Sequence, residues 1–109
     1  MANYVLVGSQ DPFESTDGQR LYELAGNLVD NGDGVTVFLV QNGVLACRPG
    51  SAAAETVAGM ARRATVMADD FSLRERAIDA GSVVDGVRPA GIDALLDAVM
   101  SDGTKAVWI

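Results

Sequence analysis

The chain predicts a three-layer α/β/α domain around a mostly parallel, five-stranded sheet. Three observations carry this. Short, continuously apolar runs such as Val35-Thr36-Val37-Phe38-Leu39-Val40 have the pattern of strands buried on both faces. Between these runs, apolar residues recur at helical spacing. Strand and helix alternate four times before a closing strand, and parallel neighbours need crossovers of this kind, among which right-handed ones dominate.

The first strand is Asn3-Tyr4-Val5-Leu6-Val7-Gly8, ended by Gly8 and the loop Ser9-Gln10-Asp11-Pro12. A helix follows. Thr16 and Gln19 have capping-box spacing, Leu21, Leu24, Ala25, Leu28 and Val29 repeat along one face, and Asn31-Gly32 supplies a left-handed stop. The second strand, Val35 to Val40, stops at Gln41-Asn42-Gly43, where the glycine can supply a positive φ. Val44-Leu45-Ala46, Cys47 and Arg48 come next. Pro49 stands where a helix can begin, because its missing N–H costs nothing there. Ala53, Val57, Met60, Ala61 and Ala64 give that helix an apolar stripe of mostly small residues.

A third strand fits Ala64-Thr65-Val66-Met67-Ala68, and Asp69-Asp70 ends it. Ser72 and Glu75 form a second capping-box pair, opening a helix over Leu73 to Ile78. Gly81 breaks the pattern and leaves Ser82-Val83-Val84 as a brief edge strand. Pro89 introduces the last helix, with Ile92, Leu95, Leu96, Val99 and Met100 at helical spacing. Asp102-Gly103 then turns the chain into a closing strand, Lys105-Ala106-Val107-Trp108-Ile109. No repeat, linker or low-complexity tract interrupts this order, so residues 1–109 read as one domain. Five strands suit a flavodoxin-like, doubly wound arrangement; the alternation itself does not set the strand order.

Composition excludes several classes of function. With 49% apolar and 21% charged residues, the chain reads as globular rather than disordered. No apolar run approaches bilayer length, and Met-Ala-Asn-Tyr is not a basic leader, so a soluble, cytoplasmic protein is expected. One cysteine permits no intramolecular disulfide, and the absence of histidine removes Ser-His-Asp and Cys-His catalysis. A net charge of −7 with no basic stripe argues against nucleic acid and anionic membranes as partners. Neither a metal nor a cofactor is expected.

In sheets of this kind ligands gather outside the carboxyl ends of the strands. The loops Ser9 to Thr16, Gln41 to Gly50 and Asp69 to Ser72 meet that description. They nominate Ser9, Gln10, Asp11, Gln41, Asn42, Asp69 and Asp70 as ligand-binding residues. Cys47 is the only strong nucleophile. Arg48 beside it and a helix starting near Pro49 would lower its pKa and make it the catalytic thiolate. The competing reading is that Cys47, after Val44-Leu45-Ala46, packs as a small hydrophobe. Asp11 with Asp69-Asp70 resembles the Mg²⁺ cluster of a degenerate receiver domain, but Lys105 opens the last strand, on the opposite edge from such a site. An Asp70 favourable at a helix start is the simpler account. Gly8-Ser9-Gln10-Asp11-Pro12 lacks the glycine spacing of a phosphate loop. Trp108 and the alanine-rich helix suit subunit packing, so an oligomer is expected.

Leu39-Val40-Gln41-Asn42-Gly43-Val44-Leu45-Ala46 resembles the "LxQDGV-A" segment of DsrE/DsrF/DsrH-like proteins, the sulfur-relay subunits that include the Tus proteins. The stretch from Val66 to Ile78 is similar to the family's next strand and helix, and Val107-Trp108-Ile109 to the terminal strand of short DsrH/TusB-type members. The resemblance implies a flavodoxin-like sheet, assembly with like or DsrE-like subunits, and a cysteine persulfide exchanged with partner thiols. DsrE/TusD-like members carry their sulfur-accepting cysteine after the third strand, where this chain has Asp69-Asp70. DsrH-like members carry theirs in the first helix, which here has none. No catalytic residue is therefore carried over, and local physics alone nominates Cys47. Two functions follow as expectations: persulfide sulfur relay on Cys47, or a non-catalytic subunit or small-ligand module of an oligomer.

Overall fold

Residues 2–109 are described by a computed structural model of the protein; Met1, the first residue of the Met-Ala-Asn-Tyr opening, lies outside the described residues. Within them the apolar runs form β1 (Asn3–Gly8), β2 (Gly34–Leu39), β3 (Thr65–Asp69), β4 (Val87–Ala90) and β5 (Thr104–Trp108). The strands lie in the order β4-β3-β2-β1-β5, and every neighbouring pair is parallel. The architecture is the flavodoxin-like, three-layer one that the alternation predicts. Its helices are α1 (Thr16–Asp30), α2 (Ala54–Arg63), α3 (Asp70–Glu75) and α4 (Ile92–Met100).

Because side chains alternate across a strand, the register sorts the core into two faces. Leu6 lies opposite Val37, Val37 opposite Val66, and Val66 opposite Val87. This row packs with Leu21 and Ala25 of α1, Val57 and Met60 of α2, and Leu73 of α3. The next row, Val7, Phe38 and Met67, turns to the other face, where α4 contributes Leu95. Full burial of a side chain such as Phe38 stabilises by about 1.5–3 kcal/mol. The second helical layer is thin. The described residues supply only α4 to it, and Ile92, Leu96 and Met100 along that helix stay exposed.

Several local expectations are corrected. Ser15, not Thr16, caps α1: its backbone is extended and its side chain accepts from the amides of Asp17 and Gly18. Gln19 instead donates to the Pro12 carbonyl at 3.1 Å. Asp69, not Ser72, caps α3, and that helix ends at Glu75 rather than Ile78. Pro49 does not open a helix, since α2 begins at Ala54 after a turn in which Gly50 has φ 82°. Ser82-Val83-Val84 is not a strand. The edge strand beside β3 is β4, and it contains Pro89, tolerated because β4 pairs on one side only. Gln41–Cys47 winds into a 3₁₀ helix in which Gln41, at φ 49°, takes the left-handed conformation expected of Gly43.

Candidate functional site

Two loops face each other at the carboxyl ends of β1 and β2. The first, residues 9–15, folds back on Asp11. Its Oδ1 accepts the Phe13 amide at 3.1 Å, while its carbonyl accepts the amides of Glu14 and Ser15 at 3.1 and 3.0 Å. This turn packs against Gly18 of α1, where a Cβ would meet the Pro12 backbone at 2.8 Å. The result is that Asp11 as a whole is only 7% exposed. The second loop joins the 3₁₀ helix to α2. Ser51 Oγ donates to the Ala46 carbonyl at 3.1 Å, and Arg48 Nε donates to the Leu45 carbonyl at 2.9 Å.

Between these loops runs a cleft of about 690 Å³ walled by Pro12, Phe13, Tyr22, Ala52 and Ala53. Gln19, Glu23 and Thr56 supply its polar lining. Phe13, Ala52 and Ala53 also border a recess of about 170 Å³ that adds Asp11, Arg48 and Ser51. The Tyr22 hydroxyl is buried and has no hydrogen-bond partner among the described residues. Burial, with neighbouring Cys47 and Asp11 adding to it, pushes the Tyr22 phenol far up.

Cys47 does not have the environment of a nucleophile. It is 0% exposed, and burial pushes its thiol up to about 12. The groups expected to lower that value do not act on it: the Arg48 side chain is exposed and bonded to Leu45, and α2 starts seven residues beyond the sulfur. Desolvation therefore overrides the adjacent cation, correcting the expectation of an activated Cys47-Arg48 pair.

The other nominated residues divide into separate groups. Ser9 donates its amide to the Ile109 carbonyl at 3.3 Å, and Gln10 accepts from the Ser15 hydroxyl. Gln41 and Asn42 belong to a polar lacing between the 3₁₀ helix and α3. The Gln41 amide donates to Ser72 Oγ at 2.9 Å, Ser72 Oγ donates to Asp69 Oδ2 at 2.7 Å, and Arg76 Nε donates to Asn42 Oδ1 at 3.1 Å. Asp70 lies 3.8 Å from Arg74. Asp69 and Asp70 line a separate depression with Phe71 and Ile92, away from Asp11, so the carboxylates of the receiver-like reading are not brought together. No group of three or more His, Cys, Asp or Glu side chains among the described residues is placed to hold a metal ion.

Of the residues around the cleft and recess, the sequence nominates Asp11 for ligand binding and Arg48 as a neighbour of the thiol, and does not nominate Phe13, Tyr22, Glu23 or Ser51. Tyr22 alone left a signal. It precedes the buried Ala25 by three residues, which puts its ring at the edge of the apolar face of α1 and its hydroxyl inside.

No protein-family model and no curated protein matches the chain. Solved structures do. The ychN protein from E. coli superposes with a TM-score of 0.84 at 19% identity, over 98% of this chain and 100% of that one. The fold is YchN-like. MTH1491 from Methanobacterium thermoautotrophicum, a protein of unknown function, gives 0.77 at 17% identity over 100% of both chains. BT1422 from Bacteroides thetaiotaomicron, a conserved protein of unknown function, gives 0.70 at 14% identity over 97% of this chain and 94% of its own. Near-complete coverage both ways means that the shared fold extends over nearly the whole of this chain. No helix among the described residues is long and apolar enough to cross a membrane.

Proposed function

We propose that this chain is a non-catalytic subunit of a cytoplasmic oligomer, related to the DsrE-type sulfur-relay subunits its sequence resembles, with Cys47 as a packing residue. The observation that carries this reading is the complete burial of the only cysteine. A sulfur carrier presents a thiolate first to a donor and then to an acceptor, so it needs access and a low pKa. Cys47 has neither, and Asp69, at the position where the resembling relay members carry their cysteine, is engaged as the cap of α3. Assembly is supported by apolar surface on the thin layer. Ile92, Leu96 and Met100 follow one another at four-residue spacing on α4, and Trp108 on β5 is 68% exposed. Aromatic residues and methionine are the types enriched at interface cores. The partners are further copies of the chain or other DsrE-like subunits.

Native and urea-unfolded protein are treated with iodoacetamide and, separately, with a persulfide donor, and read by mass spectrometry alongside light scattering of the native state. Labelling only on unfolding, no added sulfur and a mass above the monomer are expected. Rapid native labelling with a stable added sulfur atom restores the relay reading, and a clean monomer removes the assembly.

A further inference from the structure

The recess beside the cleft holds opposite charges that do not meet. Asp11 is 7% exposed and makes no ion pair among the described residues, although Arg48 lines the same recess. The Phe13 amide reaches one carboxylate oxygen at 3.1 Å, and no guanidinium or ammonium of the described residues comes within ion-pair distance. Arg48 spends one of its five N–H donors on the Leu45 carbonyl at 2.9 Å. A largely buried carboxylate is costly unless it is paired and hydrogen-bonded, and this one has only the Phe13 amide on one oxygen among the described residues. Beside it lies Tyr22, whose hydroxyl is also buried without a partner and feels the Asp11 charge.

We propose that this recess binds the head group of a zwitterionic α-amino acid whose apolar side chain extends into the adjoining cleft. Its ammonium meets the Asp11 carboxylate, and its carboxylate meets the Arg48 guanidinium. The side chain runs past Phe13, Ala52 and Ala53, the residues shared by recess and cleft. The choice of ligand follows from sign. A simple amine gains from Asp11 and is repelled by Arg48, and a simple carboxylate meets the reverse; only a ligand carrying both signs is favoured by both groups. Size agrees, since about 170 Å³ admits an α-carbon with its two charged substituents, whereas longer apolar chains need the 690 Å³ cleft. This inference is independent of the assembly reading.

Backbone-amide NMR titration of the full chain tests it, with L-leucine, L-methionine and L-phenylalanine as probes at millimolar concentration. Leucinamide, which lacks the carboxylate, and 4-methylpentanoate, which lacks the ammonium, are the controls. Saturable shifts at Phe13, Tyr22 and Ser51 are expected for at least one amino acid. If leucine is that probe, each half-ligand binds at least about tenfold more weakly. For whichever amino acid binds, Asp11→Asn, which keeps an acceptor for the Phe13 amide, and exposed Arg48→Gln each weaken binding by a similar factor. Should Asp11→Asn fail to fold, Arg48→Gln and the amide and deamino analogues of the bound amino acid still decide. Absence of saturable shifts with all three amino acids overturns the proposal and leaves the assembly reading intact. Binding of the amide analogue as tight as that of its parent, or indifference to Arg48→Gln, overturns it in favour of a plain cation site.

Discussion

Gly43 lies against the carbonyl oxygen of Gly8, so close that a side-chain carbon at position 43 would collide with it. The same carbonyl accepts the Val40 amide at 2.9 Å, and Gly43 donates its own amide to Val40 at 2.9 Å. Together these contacts fasten the start of the 3₁₀ helix to the end of β1. The far end of that helix is Cys47, so the clamp at Gly43 also keeps the thiol inside.

Gly43→Ala is therefore expected to destabilise the fold by about 1–3 kcal/mol, the range for overpacking a close contact. The measurement is a urea midpoint that falls with an unchanged slope. An unchanged midpoint would show that the 3₁₀ helix shifts freely on β1.

Ser72→Ala removes the hydroxyl that accepts from Gln41 and donates to Asp69. The Gln41 amide is left without its partner, at an expected cost of about 1–3 kcal/mol. Faster hydrogen exchange at Gln41 locates the effect at the joint between the 3₁₀ helix and α3.

Stability should decline at alkaline pH, with the sign set by Cys47. Burial raises its folded pKa to about 12, against an unfolded value near 9.0. Below pH 9 both states keep the proton and nothing changes. Between these values the unfolded chain loses a proton that the folded chain keeps, so unfolding becomes easier by up to about 1.4 kcal/mol per pH unit. Denaturant melts from pH 7 to 9.5, below the range where the buried Tyr22 phenol adds a slope of the same sign, measure the effect, and Cys47→Ala should flatten it.

Leu96→Glu places a charge in the exposed row of α4. Being exposed, it should change monomer stability by no more than about 0.5 kcal/mol. Light scattering should nevertheless show the assembly dissociating. An oligomer indifferent to both Leu96→Glu and Trp108→Ser uses another face.

What could be read from the sequence was whatever depends on local period. The runs at Val5, Val37 and Val66 announce buried strands, and Leu21 to Val29 announces a helix lying on them. Strand order was not legible, because every parallel crossover has the same local pattern whichever neighbour it reaches. Pro89 misled for a physical reason. Its missing amide argues against a strand, yet on the outer side of β4 no partner asks for one. The cap positions shifted because Ser15 and Asp69 can cap as well as Thr16 and Ser72, and sequence spacing alone does not choose between them. Cys47 was ambiguous in the same way: adjacency to Arg48 is visible in the chain, whereas depth beneath the loops is not.

The placement of β1 between β2 and β5 has a kinetic consequence. One neighbour of β1 follows it after a single helix, whereas the other, Thr104–Trp108, arrives about a hundred residues later and closes the most distant pairing in the sheet. During synthesis the open side of β1 waits, offering Val5 and Val7 and a row of unpaired backbone groups to any other strand nearby. The last strand of the chain thus seals the open side of the first. A nascent chain stalled before Thr104 would be the form most prone to aggregate.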